Sequence, residues 1–330
     1  MKAVVTGSSG FIGGHVVVRL AQEGHEVVGI DRAPAPAGLP GVHLELDVAE
    51  PANRELLADA LRDADAVFHL AGRGGVRDTG ADVAALRRRD NGLAAAAVLA
   101  ATPADTPVIV TSSSSVYGGA RVVGGPEGRV IPSHECDPLM PRGGYARSKV
   151  FVERLCARRR ARGGLVTVVR PFTVTGPGQR PDMAVSRWLR AAASGLPLQV
   201  LGSPDRRRDV TDVRQVAVVL VDLVEHPHLD VVNLGTGVPV TLRELLAAVN
   251  RAVGRELPVE VVPATREEPA ATCAHTERLH EVLGWVPFTD LADLVAAQLA
   301  ATASPTDLHS PASSANMVWH STAASASTRR

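Results

Sequence analysis

The sequence predicts an α/β fold, a doubly wound parallel sheet followed by a smaller mixed α/β lobe. Three observations support this prediction. Short apolar runs rich in β-branched residues alternate with amphipathic helical stretches through the first half of the chain, as in parallel sheets built from βαβ units. A glycine-rich turn joins the first apolar run to the first helix. After about residue 170 the pattern changes, which indicates the second lobe.

Residues 1–32 have the pattern of a βαβ unit. Residues 3–5 form a buried strand, an amphipathic helix starts near residue 11 and ends at Gly24, and residues 27–30 form the next strand. A turn of three glycines at G-x-x-G-x-x-G spacing, Gly7, Gly10 and Gly13, separates the first strand from the helix. In this arrangement Gly7 permits the sharp turn, Gly10 lets a pyrophosphate approach the backbone, and Gly13 lets helix and strand pack closely.

The chemistry of this unit predicts a dinucleotide site of the Rossmann type. The helix N-terminus offers unpaired N–H groups to an anion. Asp31 comes eighteen residues after Gly13, where a carboxylate can accept hydrogen bonds from the adenosine ribose. The acid favours NAD, although Arg32 beside it keeps NADP open. The turn is not a P-loop, because no Gly-Lys-Ser/Thr follows it.

Bulk properties exclude several classes of partner. The chain has 330 residues, with 35 basic and 35 acidic side chains, and no basic face for nucleic acid. No apolar run is long enough for a membrane span, and Met1 leads directly into the first strand without a signal peptide. The cysteines, Cys136, Cys156 and Cys273, are isolated in sequence. They predict reduced thiols, a cytoplasmic protein and no metal site.

The ends of the next two predicted strands carry residues that suit contacts with the dinucleotide. A strand at 42–46 ends in Asp47 and Val48, where the carboxylate either accepts from the adenine amine or caps the helix predicted at 54–61. A fourth strand is predicted over 66–72 and ends in Leu70, Ala71 and Gly72. This end is small and apolar, so the backbone can pass close to a cofactor ring. His69 within it is expected to be a packed strand residue.

One long helix is predicted over 82–101, with Asn91 in its middle. Asparagine is a poor helix former, so it is either exposed or used for a specific hydrogen bond. A fifth strand, 108–111, runs into the serines 112–115, which should face the ligand crevice because they follow the carboxyl end of a parallel strand. A Gly/Pro-rich loop, 119–140, then leads to a helix over 145–162.

That helix carries the second strong signal. Tyr145 and Lys149 are one turn apart and share a helix face. The alternative is an incidental pair on a solvated helix. The chain has only two tyrosines and only two lysines, which favours a functional role for this pair. An ammonium beside a phenol favours the phenolate, and the pair therefore predicts a general base for an alcohol proton.

The remaining chain predicts a domain division. A sixth strand covers 165–169, a helix covers 185–194, strands lie near 231 and 259, and Thr241 to Glu244 forms a capping box. An arginine run, 206–208, is either a solvated face or a diphosphate contact. We expect an NAD-binding domain over 1–170, rejoined by a segment near 209–237, a mainly substrate-binding lobe over 171–300, and a disordered tail over 301–330.

From residue 1 to about residue 299 the sequence resembles the extended short-chain dehydrogenase/reductases, in the NAD-dependent nucleotide-sugar epimerase/dehydratase group. The residues and motifs that support the resemblance are TGSSGFIG at 6–13, Asp31, Asp47-Val48, HLAG at 69–72, Asn91, SSSSVYG at 112–118, YARSK at 145–149, RPFTVTGPG at 170–178, RDVTDV at 208–213 and NLGTG at 233–237.

The resemblance implies roles for individual residues. Tyr145 is the base, Lys149 holds the ribose hydroxyls, and Ser113 is the catalytic hydroxyl. Sugar and diphosphate contacts are implied for Ser113, Ser115, Tyr145, Thr173, Arg208 and Arg266. Cofactor contacts are implied for Gly7, Gly10, Phe11, Ile12, Gly13, Asp31, Arg32, Asp47, Val48, Leu70, Ala71, Gly72, Asn91, Tyr145, Lys149 and Phe172. The group also implies a homodimer formed through helices 82–101 and 145–162.

The serine run separates the reaction subclasses. Dehydratases of this group carry an Asp-Glu pair, and UDP-glucuronate decarboxylases a glutamate, where this chain has Ser114 and Ser115. The resemblance therefore favours a 4-epimerase acting on a UDP-hexose or UDP-hexuronate. An NAD(P)H-dependent 4-ketoreductase, a UDP-glucuronate decarboxylase and a non-catalytic dinucleotide-binding protein are the alternatives. Thr173 replaces an asparagine that normally helps to bind the diphosphate side, which leaves the sugar and nucleotide open.

Overall fold

The computed structural model describes residues 1–75, 80–125 and 128–303, so the tail predicted to be disordered lies outside the described residues from 304 onward. The strands are β1 Lys2–Thr6, β2 Glu26–Asp31, β3 Val42–Glu45, β4 Ala66–His69, β5 Val108–Thr111, β6 Arg121–Val123, β7 Arg129–Ile131, β8 Val166–Pro171, β9 Thr173–Thr175, β10 Leu198–Leu201, β11 Arg207–Asp212, β12 Val231–Leu234, β13 Pro239–Thr241 and β14 Val259–Val262. The helices are α1 Phe11–Gln22, α2 Arg54–Leu61, α3 Val83–Arg87, α4 Ala94–Ala101, α5 Gly143–Arg160, α6 Ala184–Ala193, α7 Val213–Asp222, α8 Leu242–Val253, α9 Glu277–Leu283 and α10 Leu291–Ala303.

A seven-stranded parallel sheet forms the larger part of the fold, in the order β3-β2-β1-β4-β5-β8-β12. Successive residues of β1 serve opposite faces: Ala3 and Val5 pack with α1, α7 and α9, whereas Val4 packs with α2, α4 and α5. The predicted Rossmann-type, doubly wound sheet is therefore confirmed. The strand order reverses between β1 and β4, and ligands of such sheets bind at the carboxyl ends beside this reversal.

A smaller set of elements covers those carboxyl ends. Its strands form a three-stranded sheet, β13-β11-β9, and a parallel pair, β10 and β14. Helices α6, α8 and α10 pack on them around a separate apolar core that includes Trp188, Leu198 and Leu245. The capping box at the start of α8 is present as predicted, with Thr241 Oγ1 accepting from Glu244 N and the glutamate carboxylate accepting from Thr241 N.

Several elements differ from the sequence prediction, among them the loop expected over 119–140, which contains the antiparallel pair β6 and β7. The single helix expected over 82–101 is interrupted by a π-helical turn over 88–93, between α3 and α4. The fourth strand ends at His69, because Leu70 to Gly72 turn away as a loop. In residues 1–75, 80–125 and 128–303, no helix combines the length and apolar character needed to cross a bilayer.

Candidate active site

The glycine turn has the conformation its sequence predicts. Gly7 has φ of +76°, in the left-handed region that other residues rarely adopt. A Cβ on Gly13 would lie 2.0 Å from the Gly7 carbonyl oxygen, so only glycine fits there. Gly10 precedes α1, no side chain caps the helix, and its first turn holds no acidic residue. The N–H groups of this helix end are thus available to an anion.

Two adjoining cavities meet at this turn. The first, of about 330 Å³, lies on the side of β2 and β3 and is lined by the predicted cofactor residues Gly7, Gly10, Asp31, Arg32, Asp47, Val48, Leu70, Ala71 and Gly72. The second, of about 430 Å³, lies under the smaller lobe. It is lined by the predicted residues Phe11, Ile12, Gly13, Ser113, Ser115, Tyr145, Lys149, Phe172, Thr173 and Arg208, and again by Gly7, Gly10, Leu70 and Gly72.

The acids of the first cavity are held by the backbone and by arginines. Asp31 accepts hydrogen bonds from Ser9 N at 3.1 Å and Ala33 N at 3.0 Å. Asp47 accepts from Ala49 N and pairs with Arg89 at 2.8 Å. Burial opposes ionisation of Asp47, but the hydrogen bond from Arg89 prevails and lowers its pKa. Asp47 does not cap the following helix, since Asn53 occupies that position, so the capping alternative is wrong.

The second cavity brings together the three predicted catalytic residues. Tyr145 lies in the first turn of α5 and lines the cavity, and within the described part of the chain no hydrogen bond engages its phenol. Lys149, one turn later, is buried and donates from Nζ to the Thr111 carbonyl at 2.9 Å. A Cβ on Gly72 would lie 3.7 Å from that Nζ. The ammonium therefore sits between β5 and the loop over residues 70–75 that follows β4, which we call the cofactor loop.

Ser113 is oriented by its own backbone. Its Oγ accepts from Ser115 N at 3.1 Å and thereby caps a 3₁₀ turn over 114–117. Because an acceptor site of the hydroxyl is used in this way, its hydrogen remains to be donated to a ligand oxygen. Ser115 Oγ is buried and has no hydrogen-bond partner in the described residues, although it belongs to a residue that lines the cavity.

Asn91 is used for specific hydrogen bonds, as one of the two sequence alternatives proposed. Its Oδ1 accepts from Arg73 N at 2.6 Å, and its Nδ2 donates to Ser148 Oγ at 2.8 Å. Ser148 in turn donates to the Tyr145 carbonyl at 2.7 Å. The π-helical turn aims Asn91 at both partners, and widened turns of this kind are common at functional sites. Asn91 itself does not line either cavity, and it links the cofactor loop to the first turn of α5.

His69 is packed in the sheet as expected. It is almost fully buried and its Nδ1 lies 2.8 Å from Thr6 Oγ1. Burial, and secondarily the positive charge of Lys149, lower the pKa of His69 to about 3. The imidazole is therefore neutral at neutral pH, as expected for a histidine packed in the sheet.

A hydrogen-bonded group that the sequence did not reveal lies next to the serine run over 112–115. We call Tyr117, Glu153, Arg170 and Asn233 the buried frame. Arg170 donates to both carboxylate oxygens of Glu153, at 2.9 and 2.7 Å, and to Tyr117 Oη at 2.8 Å. Tyr117 donates to Asn233 Oδ1 at 2.7 Å. Glu153 also accepts from Ser112 Oγ at 2.5 Å, which connects the frame to the serine run.

The two arginines predicted to grip a diphosphate occupy different places. Arg208 lines the second cavity, where its side chain pairs with that of Glu268 at 3.3 Å. Arg266 is exposed and is absent from the cavity linings, while its neighbours Glu267 and Glu268 are present there. Arg180, which the sequence did not single out, also lines the cavity, packed against Gly74. Its position two residues after a Pro-Gly turn gave no distinctive signal.

The fold and the cavities define an enzyme of the dinucleotide-dependent class, with a Tyr/Lys/Ser group beside the glycine turn. The chain belongs to the NAD dependent epimerase/dehydratase family, whose model matches residues 3–235. The family description makes NAD the cofactor.

Similar proteins have been characterised by structure or by sequence. MoeE5, solved in complex with UDP-glucose and NAD, is 33% identical with a TM-score of 0.81, covering 92% of this chain and 98% of its own. The UDP-glucuronic acid 4-epimerase from Bacillus cereus, solved with UDP-glucuronic acid and NAD, is 26% identical with a TM-score of 0.81, covering 91% and 98%. A GDP-6-deoxy-D-mannose reductase of Pseudomonas aeruginosa is 31% identical over 299 residues, covering 87% and 92%.

Proposed function

We propose that this chain is an NAD-dependent nucleotide-sugar 4-epimerase that acts through a transient 4-keto intermediate on a UDP-hexose or a UDP-hexuronate. The observation that carries the proposal is that Tyr145, Lys149 and Ser113 line one cavity with the glycine turn. The UDP-sugars named in the structures of two similar proteins support the substrate class.

The residues present fit NAD. The uncapped end of α1 beside Gly10 suits the pyrophosphate, and the Asp31 carboxylate at the end of β2 suits ribose hydroxyls while repelling a ribose phosphate. Asp47 and Val48 would contact the adenine, and Lys149 the second ribose. When bound, NAD⁺ supplies a hydride acceptor, and its reduced form the donor for the return step.

The chain's own residues carry the proton chemistry. Tyr145, one helical turn from Lys149, is the base that removes the proton of the sugar 4-hydroxyl while the C4 hydrogen leaves as hydride. Ser113 Oγ donates a hydrogen bond to the developing C4 carbonyl oxygen. In the return half-reaction Tyr145 gives the proton back to the oxygen, now on the epimeric carbon. No proton or electron is gained or lost overall.

The serine run argues against elimination of water from the sugar. Ser114 and Ser115 stand where the dehydratases of the resembled group carry acids, and their hydroxyls cannot take a proton from carbon at neutral pH. We assign Ser115, which lines the second cavity, to a contact with a sugar hydroxyl. The smaller lobe would hold the nucleotide, with Arg208 reaching the diphosphate by exchanging its partner Glu268.

We also propose a homodimer through the surfaces of residues 82–101 and 145–162. Leu93 and Phe151 lie there, 49% and 45% exposed, which is unusual for large apolar side chains. Light scattering would report a dimer for the native chain. A monomer for the native chain, or an unchanged dimer in the double variant Leu93→Glu with Phe151→Glu, would contradict this assignment.

The activity is tested by incubating the purified chain with UDP-glucose, UDP-galactose and the two corresponding uronates. We expect at least one of them to be converted to its C4 epimer without net consumption of NAD. The Tyr145→Phe variant is the control for a contaminating epimerase. Four unchanged substrates, or a 6-deoxy keto product from another sugar, would show that the epimerase proposal is wrong.

A 4-ketoreductase is the second candidate, because a reductase is among the similar proteins and would use the same Tyr145, Lys149 and Ser113. The two reactions differ in cofactor stoichiometry. A reductase consumes one NAD(P)H for each 4-keto sugar and releases the oxidised cofactor, whereas an epimerase retains NAD. Absorbance of the purified protein and of the reaction mixture distinguishes them.

A further inference from the structure

A second group of chemically reactive side chains lies outside both cavities. His134 and Glu135 belong to the loop between β7 and α5, and His275 precedes α9. One nitrogen of each imidazole and one oxygen of Glu135 lie within 4.8 Å of one another. The two imidazole centroids are 4.6 Å apart. The loop and the second segment are some 140 residues apart in sequence, so the fold assembles this group.

Two buried polar atoms in this group are unsatisfied. Glu135 Oε1 accepts from Asn233 N at 2.9 Å, whereas Oε2 lies 3.8 Å from His134 Nδ1 and has no hydrogen-bond partner in the described residues, and the glutamate side chain is 0% exposed. His275 Nε2 lies 3.7 Å from a Glu277 oxygen, whereas its buried Nδ1 has no hydrogen-bond partner in the same ranges. Burying such atoms without a hydrogen-bond partner destabilises the folded chain, more so for a charged group, so both atoms point to a ligand between these side chains.

We propose that His134, Glu135 and His275 bind a divalent transition-metal ion of the zinc class. Two imidazoles and one carboxylate are a ligand set that Zn²⁺ accepts, and a hard ion such as Mg²⁺ would prefer oxygen ligands throughout. Ligand atoms about 2.0–2.1 Å from a tetrahedral zinc lie roughly 3.4 Å apart. The ligand atoms would therefore have to move toward one another by about 1 Å to hold the ion. His134 can make this movement because it lies on a loop and its side chain is 39% exposed.

An ion at this position would connect the loop before α5 with the segment before α9. Both also contribute residues, Arg142 and Thr272, to the lining of the second cavity. Ser133 and Ala274 already form a β-bridge, and Asn233 Nδ2 donates to the carbonyls of Ser133 and His275. The Glu135 carbonyl accepts from Arg170 of the buried frame at 3.0 Å. Because the ion would join these segments only in the folded chain, its binding should raise the melting temperature.

The test uses the full-length chain without an affinity tag, stripped of metal with a chelator and titrated with Zn²⁺ by calorimetry. We expect one ion per chain and a zinc-dependent rise in melting temperature. His275→Asn and His134→Ala should each weaken zinc binding by about 100-fold or more, since even outer-sphere partners of a metal site contribute roughly 10–100-fold. His280→Asn, an exposed histidine of α9, is the matched control and should bind zinc like the native chain.

Cys136 stays in every variant, because its Sγ lies 3.1 Å from His134 Nδ1 and offers a competing surface site. If His275→Asn binds zinc with native affinity, the ion lies on His134 and Cys136 at the surface and the proposal is wrong. It is equally wrong if the native chain binds no stoichiometric zinc. Circular dichroism in chelator checks that each variant is folded, and His134→Ala carries the test if His275→Asn is not.

Discussion

The two tyrosines of this chain occupy regions with opposite properties. Tyr117 is 6% exposed, and its hydroxyl both donates and accepts within the buried frame. Tyr145 lines the second cavity, and no hydrogen bond within the described residues engages its phenol. The Tyr117 hydroxyl therefore uses its hydrogen bonds inside the protein, whereas the Tyr145 hydroxyl remains available to a molecule in the cavity. This difference is the reason why we propose a catalytic role for Tyr145 and a structural role for Tyr117.

Removal of the Tyr145 hydroxyl should give the largest difference between the two regions, because it should change activity and not stability. We expect Tyr145→Phe to lower kcat by about 10²–10⁴-fold, the usual contribution of a positioned general base. Its melting temperature should stay at the native value, because no hydrogen bond in the described residues is lost. Steady-state kinetics on the epimerised UDP-sugar measures the effect. Turnover near the native rate would remove Tyr145 from its assigned role.

Ser113 tests the second polar group of the cavity. Ser113→Ala should lower kcat by about 10²–10³-fold, as expected for the loss of one donor to a developing oxyanion. The loss of the hydrogen bond from Ser115 N is a structural side effect, so Ser113→Thr, which keeps the hydroxyl, is the matched variant. A rate in Ser113→Ala equal to that in Ser113→Thr would show that the hydroxyl does not act on the substrate.

The buried frame should respond in stability. Arg170→Met leaves the Glu153 carboxylate, 11% exposed, without its bidentate partner. Breaking a buried ion pair from one side costs about 3–5 kcal/mol. Denaturant unfolding of the variant measures this loss. A destabilisation below about 1 kcal/mol, the range of surface pairs, would contradict the buried frame as a stabilising unit.

Tyr117→Phe is the direct counterpart of Tyr145→Phe. It leaves Asn233 Oδ1 and one N–H of Arg170 without a partner, which should cost about 1–3 kcal/mol of stability. At a temperature where both proteins are folded, kcat should remain close to the native value. A large loss of kcat in the folded variant would mean that the two regions are not separate in function.

The smallest expected effect concerns alkaline pH. Burial raises the pKa of Tyr117 to about 12, above the ordinary value of about 10. The unfolded chain therefore loses this proton first, so the contribution of Tyr117 to stability is fully present below about pH 10 and is lost as the pH rises toward 12. In Tyr145→Phe, Tyr117 is the remaining tyrosine, and its phenolate absorbance should appear near pH 12. An ordinary titration near pH 10 would show that Tyr117 is not buried in the frame.

The cofactor side was predictable because its determinants are local. The glycine turn, the helix that follows it and the acid after the second strand all lie within 32 residues, and each has a conformational reason to be where it is. The fold class and the capping box at Thr241 follow equally from short-range patterns.

The substrate side depends on contacts between distant segments. Asn91 lies in the π-helical turn and bonds to Arg73 and Ser148, and no helix propensity encodes these pairings. The partner of Arg208 is Glu268, sixty residues later, and Arg266 lies outside the cavity linings although it is only two residues from Glu268. The buried frame likewise joins residues from four separate elements or loops. Such pairings arise from tertiary structure alone.

The most direct measurement uses UDP-sugars carrying deuterium at C4, with mass spectrometry of the products. The proposal predicts that the C4 epimer forms and keeps its deuterium, because the hydrogen removed from C4 is returned to the same carbon from a cofactor that stays bound. An epimer without the label, or no epimer from any of the four UDP-sugars, would contradict epimerisation through a 4-keto intermediate.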